Sequence, residues 1–386
     1  MRPPIQTVST GCVVAIVGFF SSFPIVLKGL DAVGATPGQA ASGLMFAALA
    51  MGVTGMVLAL WTRQPISVAW STPGVALLAI TPLAGAGFSE AVFGFIVAGL
   101  LTLFAGLWRP LAHLVTNIPP ALAQAMLAGV LVSLCIVPFQ ALAETPWTAG
   151  PIVATWFAAG LVNRLIAVPA AVIAALLVVG VATGFEIPLP DGAFTAPVLM
   201  RPEPSLAAIV NIGLPLFLVT MATQNVPGIA VLRSYGYTPA PRPLLAAVGG
   251  ASVLTAPFGA PATCLAAITA AMCANPDSHP DPAKRYWSAV VAGAVYCLFG
   301  LFAAMITAVA SAAPPLVLGT LAGVALIGVF MNSANAALSD DANREAAAIT
   351  FLTTASGMAL LGLSAAVWGL VLGGAVYAIK SRMRRS

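Results

Sequence analysis

Residues 255–269 read TAPFGAPATCLAAIT. Two prolines and a glycine interrupt a run that is otherwise apolar enough for hydrocarbon. Proline removes a backbone donor and glycine weakens a helix, so this run cannot continue as one unbroken helix. Inside a bilayer, the freed polar groups have no water to bond. A broken backbone at membrane depth is tolerated only where protein buries it or where it lines a cavity. Whether this stretch lies in a membrane therefore decides what the chain is.

The chain of 386 residues is 60% hydrophobic and only 7% charged, with a mean hydropathy of +1.02. Soluble domains carry about 25% charged residues, so this chain cannot cover a water-facing surface. It reads as an all-α polytopic membrane protein, embedded in a lipid bilayer. A span takes about 20 apolar residues, and the length allows roughly twelve to fourteen. Lys and Arg occur singly, apart from the tail KSRMRRS, so no nucleic-acid footprint is present. The five cysteines, Cys12, Cys135, Cys264, Cys273 and Cys297, lie in or beside apolar segments without a CxxC. They read as small hydrophobes, not as disulfides or zinc ligands. The first apolar run, GCVVAIVGFFSSFPIVL, lacks an A-x-A-like end and leads into further spans, unlike a cleaved signal peptide. No HExxH, no GxSxG and no carboxylate pair falls inside a span, and no filter loop or ring of charges is present. The expectation is neither an enzyme nor a channel, with no cofactor and no metal.

About fourteen apolar segments can be marked, the third at 68–84, the eighth at 205–230 and the tenth at 257–273. With the N-terminus in the cytoplasm, thirteen of the 15 Lys and Arg residues fall on the cytoplasmic side. Arg2, Arg109, Arg384 and Arg385 are among them, and so is Arg164. Only Lys28 and Arg201 lie opposite. That is the positive-inside bias, and it places both termini in the cytoplasm. His113 and His279 fall in cytoplasmic connections.

The polar, proline-rich connection at 185–204 divides the chain into 1–203 and 204–386, seven segments each. PGVALLAIT (73–81) and PATCLAAIT (261–269) share P-x3-L-x-A-I-T, with Trp70 and Phe258 three residues ahead of each proline. Pro24 precedes Thr36-Pro37 as Pro227 precedes Thr238-Pro239. Pro119-Pro120 precedes Leu127-Ala128-Gly129 as Pro314-Pro315 precedes Leu321-Ala322-Gly323. An odd number of spans per half makes this an inverted repeat, the architecture of many secondary transporters. Pro73 and Pro261 are expected to open two short half-helices that cross at the midplane. Their free N–H groups, at Gly74 and Val75 and at Ala262 and Thr263, would carry partial positive charge.

No Lys, Arg or His falls in the middle of a segment, so these helix ends are the evident positive potential in the core. They suit a small single-charged anion such as a carboxylate. Phe19, Phe20, Phe23, Trp70 and Phe258 are the aromatic candidates to enclose an apolar body, with ordinary packing as the competing reading. FLVTMATQNVPGIAV (217–231) puts Gln224 and Asn225 in hydrocarbon just before the break at Pro227-Gly228. Amides there need partners, which are either a ligand or a neighbouring helix. Ser71, Thr72 and Gly259, beside the two breaks, complete the candidate set. Asn332 and Asn335 read as structural.

LPLFLVTMATQNVPGIAVLRSYGY (214–237), LTAPFGAPATCLAAITAAMCANPDSHPDPAKRY and the span after them closely resemble the BenE family of benzoate–proton symporters. The resemblance covers essentially the whole chain. It implies uptake of benzoate or a similar aromatic carboxylate, with protons, across a bacterial inner membrane. The family is similar in turn to nucleobase permeases and sulfate/bicarbonate transporters. That likeness implies core and gate domains, short third and tenth spans, and substrate held between them. Gln224 falls where the uracil permeases carry an acid on the eighth span, and FGAPAT where many carry a second. This chain has a carboxylate at neither, so that proton-coupling scheme does not carry over; Asp31 and Glu90, near helix ends, are the remaining candidates. A permease of the same fold for another small anion or a nucleobase-like substrate is the alternative. A homodimer stays open.

Overall fold

The computed structural model describes residues 3–79, 81, 87–108, 119–186, 192, 194–314, 316–361 and 363–383. Arg2, Ile80, Arg109, His113, Pro315, Arg384 and Arg385 lie outside the described residues. The chain is almost wholly helical. Helices α1 (Ile5–Phe20) and α2 (Phe23–Ala32) meet at Ser21-Ser22, and Pro24 restarts the chain in the first turn of α2. Pro37 opens α3 (Pro37–Thr62) behind a capping box of Thr36 and Gln39. Then come α4 (Thr72–Leu78), α5 (Phe88–Leu107), α6 (Pro120–Glu144), α7 (Pro146–Val162) and α8 (Arg164–Ala182). The second half holds α9 (Leu206–Ser234), α10 (Pro241–Thr255), α11 (Ala267–Ala274), α12 (Tyr286–Leu301) and α13 (Ala303–Ser311). It closes with α14 (Val317–Leu338), α15 (Arg344–Ala355) and α16 (Ala365–Met383).

Among the described residues, six helices are long and apolar enough to cross a membrane. There are seven if Pro282–Leu301 and Ala303–Ser311, bent by 56°, count as one span. Multiple passes are thus evident, while the expected fourteen are not reached by length and apolarity alone.

Two groups of helices result from packing. In one, α3 lies along α12 and α5 along α10; in the other, α6 packs on α14 and α15, and α7 on α8. Lipid supplies no hydrophobic drive between helices, so close approach through small residues matters more than in water. A Cβ on Gly52 of α3 would come within 2.5 Å of Gly293 O on α12, and one on Gly293 within 2.6 Å of Gly52 O. Gly249 of α10 meets the Leu103 backbone of α5 in the same way. The second half thereby lends α12 and α10 to helices of the first, a reciprocal exchange.

Two short strands, β1 (Val68–Trp70) and β2 (Thr263–Leu265), pair antiparallel, with Val68 opposite Leu265 and Trp70 opposite Thr263. The Ser71 N–H donates to Ala262 O at 2.8 Å and the Ala266 N–H to Ser67 O at 3.0 Å, extending the ladder at both ends. Each strand leads straight into a short helix, α4 or α11. At the first break, Pro73 lies in the opening turn of α4, a helix of seven residues. At the second break the helix expected to open at Pro261 is absent: Pro261 and Ala262 lie outside any helix, directly ahead of β2, and α11 starts only at Ala267. The halves correspond here at an offset of 195 (267 less 72, or 263 less 68), not the 188 of the shared motif. The cause is local. The Thr263 N–H is taken by Ser252 Oγ at 2.8 Å and the Leu265 N–H by Asn225 Oδ1 at 2.8 Å, which holds the segment extended.

Candidate functional site

A cavity of about 210 Å³ lies where the two short helices begin. One wall comes from Gly18, Ser21 and Ser22 at the α1–α2 turn, Ala69 and Trp70 of β1, and Thr72 and Pro73 of α4. Gln224 of α9 and Ala266–Thr269 at the head of α11 complete that wall. Arg164 and Val168 of α8, with Ala325, Leu326 and Val329 of α14, form the other. Drug-sized sites enclose about 300–1,000 Å³, so this one fits a smaller ligand. Trp70 is held in place by its Nε1–H, which donates to Ser22 Oγ at 2.9 Å, and by its edge contact with Phe19.

Four predicted residues meet here: Trp70, Thr72, Pro73 and Gln224. The others do not line this cavity. Ser71 is fully buried; its Oγ accepts from the Thr220 hydroxyl at 2.7 Å and from the Gly74 N–H at 3.2 Å. The Val75 N–H donates to Ser71 O at 2.8 Å. The N–H groups expected to be free are therefore both taken, Gly74 by the Ser71 side-chain cap and Val75 by the first backbone bond of the helix. Ala262 and Thr263 belong to the strand pair, and Pro261 is buried ahead of it. Phe258 stacks on Phe46 with centroids 3.9 Å apart, and Gly259 makes the following turn at φ +86°. Phe23 faces a separate apolar cavity of about 180 Å³ with Phe20 and Val172.

Gln224 and Asn225 are neighbours with different surroundings. They end a π-helical turn, Met221–Asn225, directly before Val226-Pro227. Pro227 cannot donate to the preceding turn, and a widened turn absorbs the missing bond and the ring's clash. The same device, Ile209–Gly213, precedes Leu214-Pro215. Asn225 is fully buried and engaged at both ends of its amide, its Oδ1 accepting from Leu265 N–H and its Nδ2 donating to Met221 Sδ at 3.3 Å. Of the two amides, Gln224 alone reaches the cavity.

Two positive features border the space. Ala266 offers no side-chain cap to α11, and no described group accepts from the N–H of Ala267, Ile268 or Thr269. Helix N-termini in that state carry partial positive charge. The uncapped end is thus on α11, six residues beyond Pro261, while α4 is capped by Ser71. The second feature is Arg164, assigned by the sequence to a loop but lining the cavity. The carboxyl candidates lie elsewhere. Asp31 borders a cavity of about 320 Å³ with Lys28, and Glu90 is buried with Oε2 unpartnered. Among the described residues no cluster of metal-ligating side chains occurs, and all five cysteines are free.

The comparisons with known proteins agree with this architecture. The BenE family profile, described as "Benzoate membrane transport protein", matches residues 2–379. The chain is 39% identical over 378 residues to the "Inner membrane protein YdcO" of Escherichia coli K12, covering 97% of this chain and 96% of that one. It is 34% identical over 339 residues to the "Benzoate membrane transport protein" of Acinetobacter baylyi, covering 86% and 84%. Among solved structures, the transmembrane domain of the cyanobacterial bicarbonate transporter BicA superposes with a TM-score of 0.62 at 16% identity, covering 97% of this chain and 95% of that one. SLC26A9 gives 0.65 at 12% identity, covering 98% of this chain and 65% of that one. These structural likenesses show the fold, and the match to a transport family excludes the enzyme reading. This chain is a membrane transport protein of the BenE family, the benzoate membrane transport proteins.

Proposed function

We propose that the protein is a secondary active transporter that imports benzoate or a similar aromatic carboxylate with protons by alternating access. The observation that carries this reading is the cavity itself. It brings an uncapped helix N-terminus, the Gln224 amide and the Trp70 ring to one space between two separately packed groups of helices. The helix end and amide suit a carboxylate, and the indole suits the ring it is attached to.

The group holding α3, α5, α10 and α12 serves as the core domain, and that holding α6, α7, α8, α14, α15 and α16 as the gate. Residues 1–203 and 204–386 form two inverted repeats of seven segments. The reciprocal packing of α3 on α12 and α5 on α10 supports this, as does the antiparallel pairing of β1 with β2. The short helices α4 and α11 then approach the bilayer midplane from opposite faces, with both termini cytoplasmic. A monoanion accompanied by one proton moves without net charge, which fits a core with no basic residue in the middle of a span.

The test is equilibrium binding of labelled benzoate to purified protein, with unlabelled competitors. Ring-substituted benzoates should displace it, while uracil and bicarbonate should not. Displacement by uracil or bicarbonate, but not by aromatic acids, would contradict the reading.

A further inference from the structure

We propose that Arg164 is a specificity-determining residue that receives the carboxylate of the substrate at the mouth of the central cavity. The proposal rests on the transport reading and assigns the charge partner that the reading lacks.

Arg164 opens α8 and borders two cavities at once. One is the central cavity with Gln224 and the α11 N-terminus. The other, about 420 Å³, is walled by Trp156, Phe157, Leu161 and Met331. Val168 and Ala325 are the other residues common to both, so Arg164 stands at the junction. A guanidinium remains charged at every physiological pH. Ion pairs among the described residues are Lys284–Asp281, Arg344–Asp341 and Lys380–Glu345, and none involves Arg164. The neighbouring walls are mostly apolar. Arg164 is exposed at this junction and has no carboxylate of its own among the described residues, so its guanidinium is open to a carboxylate brought in from outside.

Chemistry then selects the ligand class. The planar guanidinium fork takes both oxygens of a carboxylate, and aromatic walls beside it accept a flat ring. A monocarboxylate on an aromatic ring satisfies both at once, whereas a neutral aromatic satisfies only the second. Arg164 belongs to the group of α8 and α14, while Gln224 and the α11 terminus belong to the opposite wall. A carboxylate held by Arg164 on one side and by the α11 N–H groups on the other bridges the two groups.

The experiment measures benzoate binding to purified wild type, Arg164→Gln and Arg164→Lys, each normalised to folded protein by its thermal melt, at low and high salt. Arg164→Gln should bind roughly ten- to hundredfold more weakly, as expected for loss of a charged hydrogen bond. Arg164→Lys keeps the charge without the fork and should fall between. Wild-type affinity should decline as salt screens the guanidinium, and this decline should vanish in Arg164→Gln. Wild-type-like affinity and salt dependence in Arg164→Gln would overturn the proposal, whether or not its melt shifts. Wild type that binds no aromatic carboxylate would overturn the transport reading, and this assignment with it.

Discussion

At the scale of single residues, the protein separates two adjacent amides into two tasks. Asn225 uses both ends of its side chain within the protein, so Asn225→Leu leaves the buried Leu265 N–H without its acceptor. Stability should drop by about 1–3 kcal/mol, seen as an earlier melt in detergent. Gln224→Leu should do the reverse. It should leave the melt unchanged and weaken benzoate binding about five- to 150-fold, equivalent to about 1–3 kcal/mol for an unpaired partner. Gln224→Glu places an acid beside an anionic ligand; binding should be weak at neutral pH and recover as the new carboxyl protonates. Unchanged affinity in both Gln224 variants at every pH would remove that residue from the site. The sequence flags the TQN triplet but not which amide faces the cavity, because the π turn before Pro227 resets the helix phase. Arg164 was less legible still. Between two apolar runs, a lone arginine reads as a loop residue, and only the fold brings it to Gln224.

At the scale of elements, the helix breaks were legible and their register was not. Proline and glycine in apolar surroundings mark both, and Pro73 lies in the opening turn of α4. P-x3-L-x-A-I-T nevertheless aligns a helix with an extended segment. What decides the second break is Ser252 and Asn225 capturing backbone N–H groups from other segments, contacts that no local pattern announces. The glycine crossings give an element-scale prediction. A methyl at Gly52 would run into the Gly293 carbonyl, while a methyl at Gly374 of α16 would meet nothing within 4 Å. Gly52→Ala should cost about 1–3 kcal/mol through overpacking and lower the yield of monodisperse protein. Gly374→Ala should match wild type. Equal behaviour of the two would mean that α3 and α12 touch less closely than their glycines imply.

At the scale of the whole molecule, composition alone points to a polytopic membrane protein, and charge placement predicts an orientation. Segregation of Lys and Arg predicts that cysteines introduced at Ala283 and Arg382 react with membrane-impermeant reagents only from the cytoplasmic side. Strong labelling of either from outside would reverse the topology. The span count is the least legible property, since α4 and α11, of seven and eight residues, cross nothing by themselves. Their meaning comes from the strand pair that sets them facing the same cavity. The central claim is proton-driven carriage of an aromatic carboxylate through that cavity. Its most direct test is the initial rate of labelled benzoate uptake into proteoliposomes under an imposed pH gradient, acidic outside, against protein-free vesicles that report passive entry of benzoic acid. The rate should stand well above the protein-free level, fall with the weakened binding in Gln224→Leu and be indifferent to sodium. A rate equal to that of protein-free vesicles, or one that follows a sodium gradient and ignores the pH gradient, would contradict it.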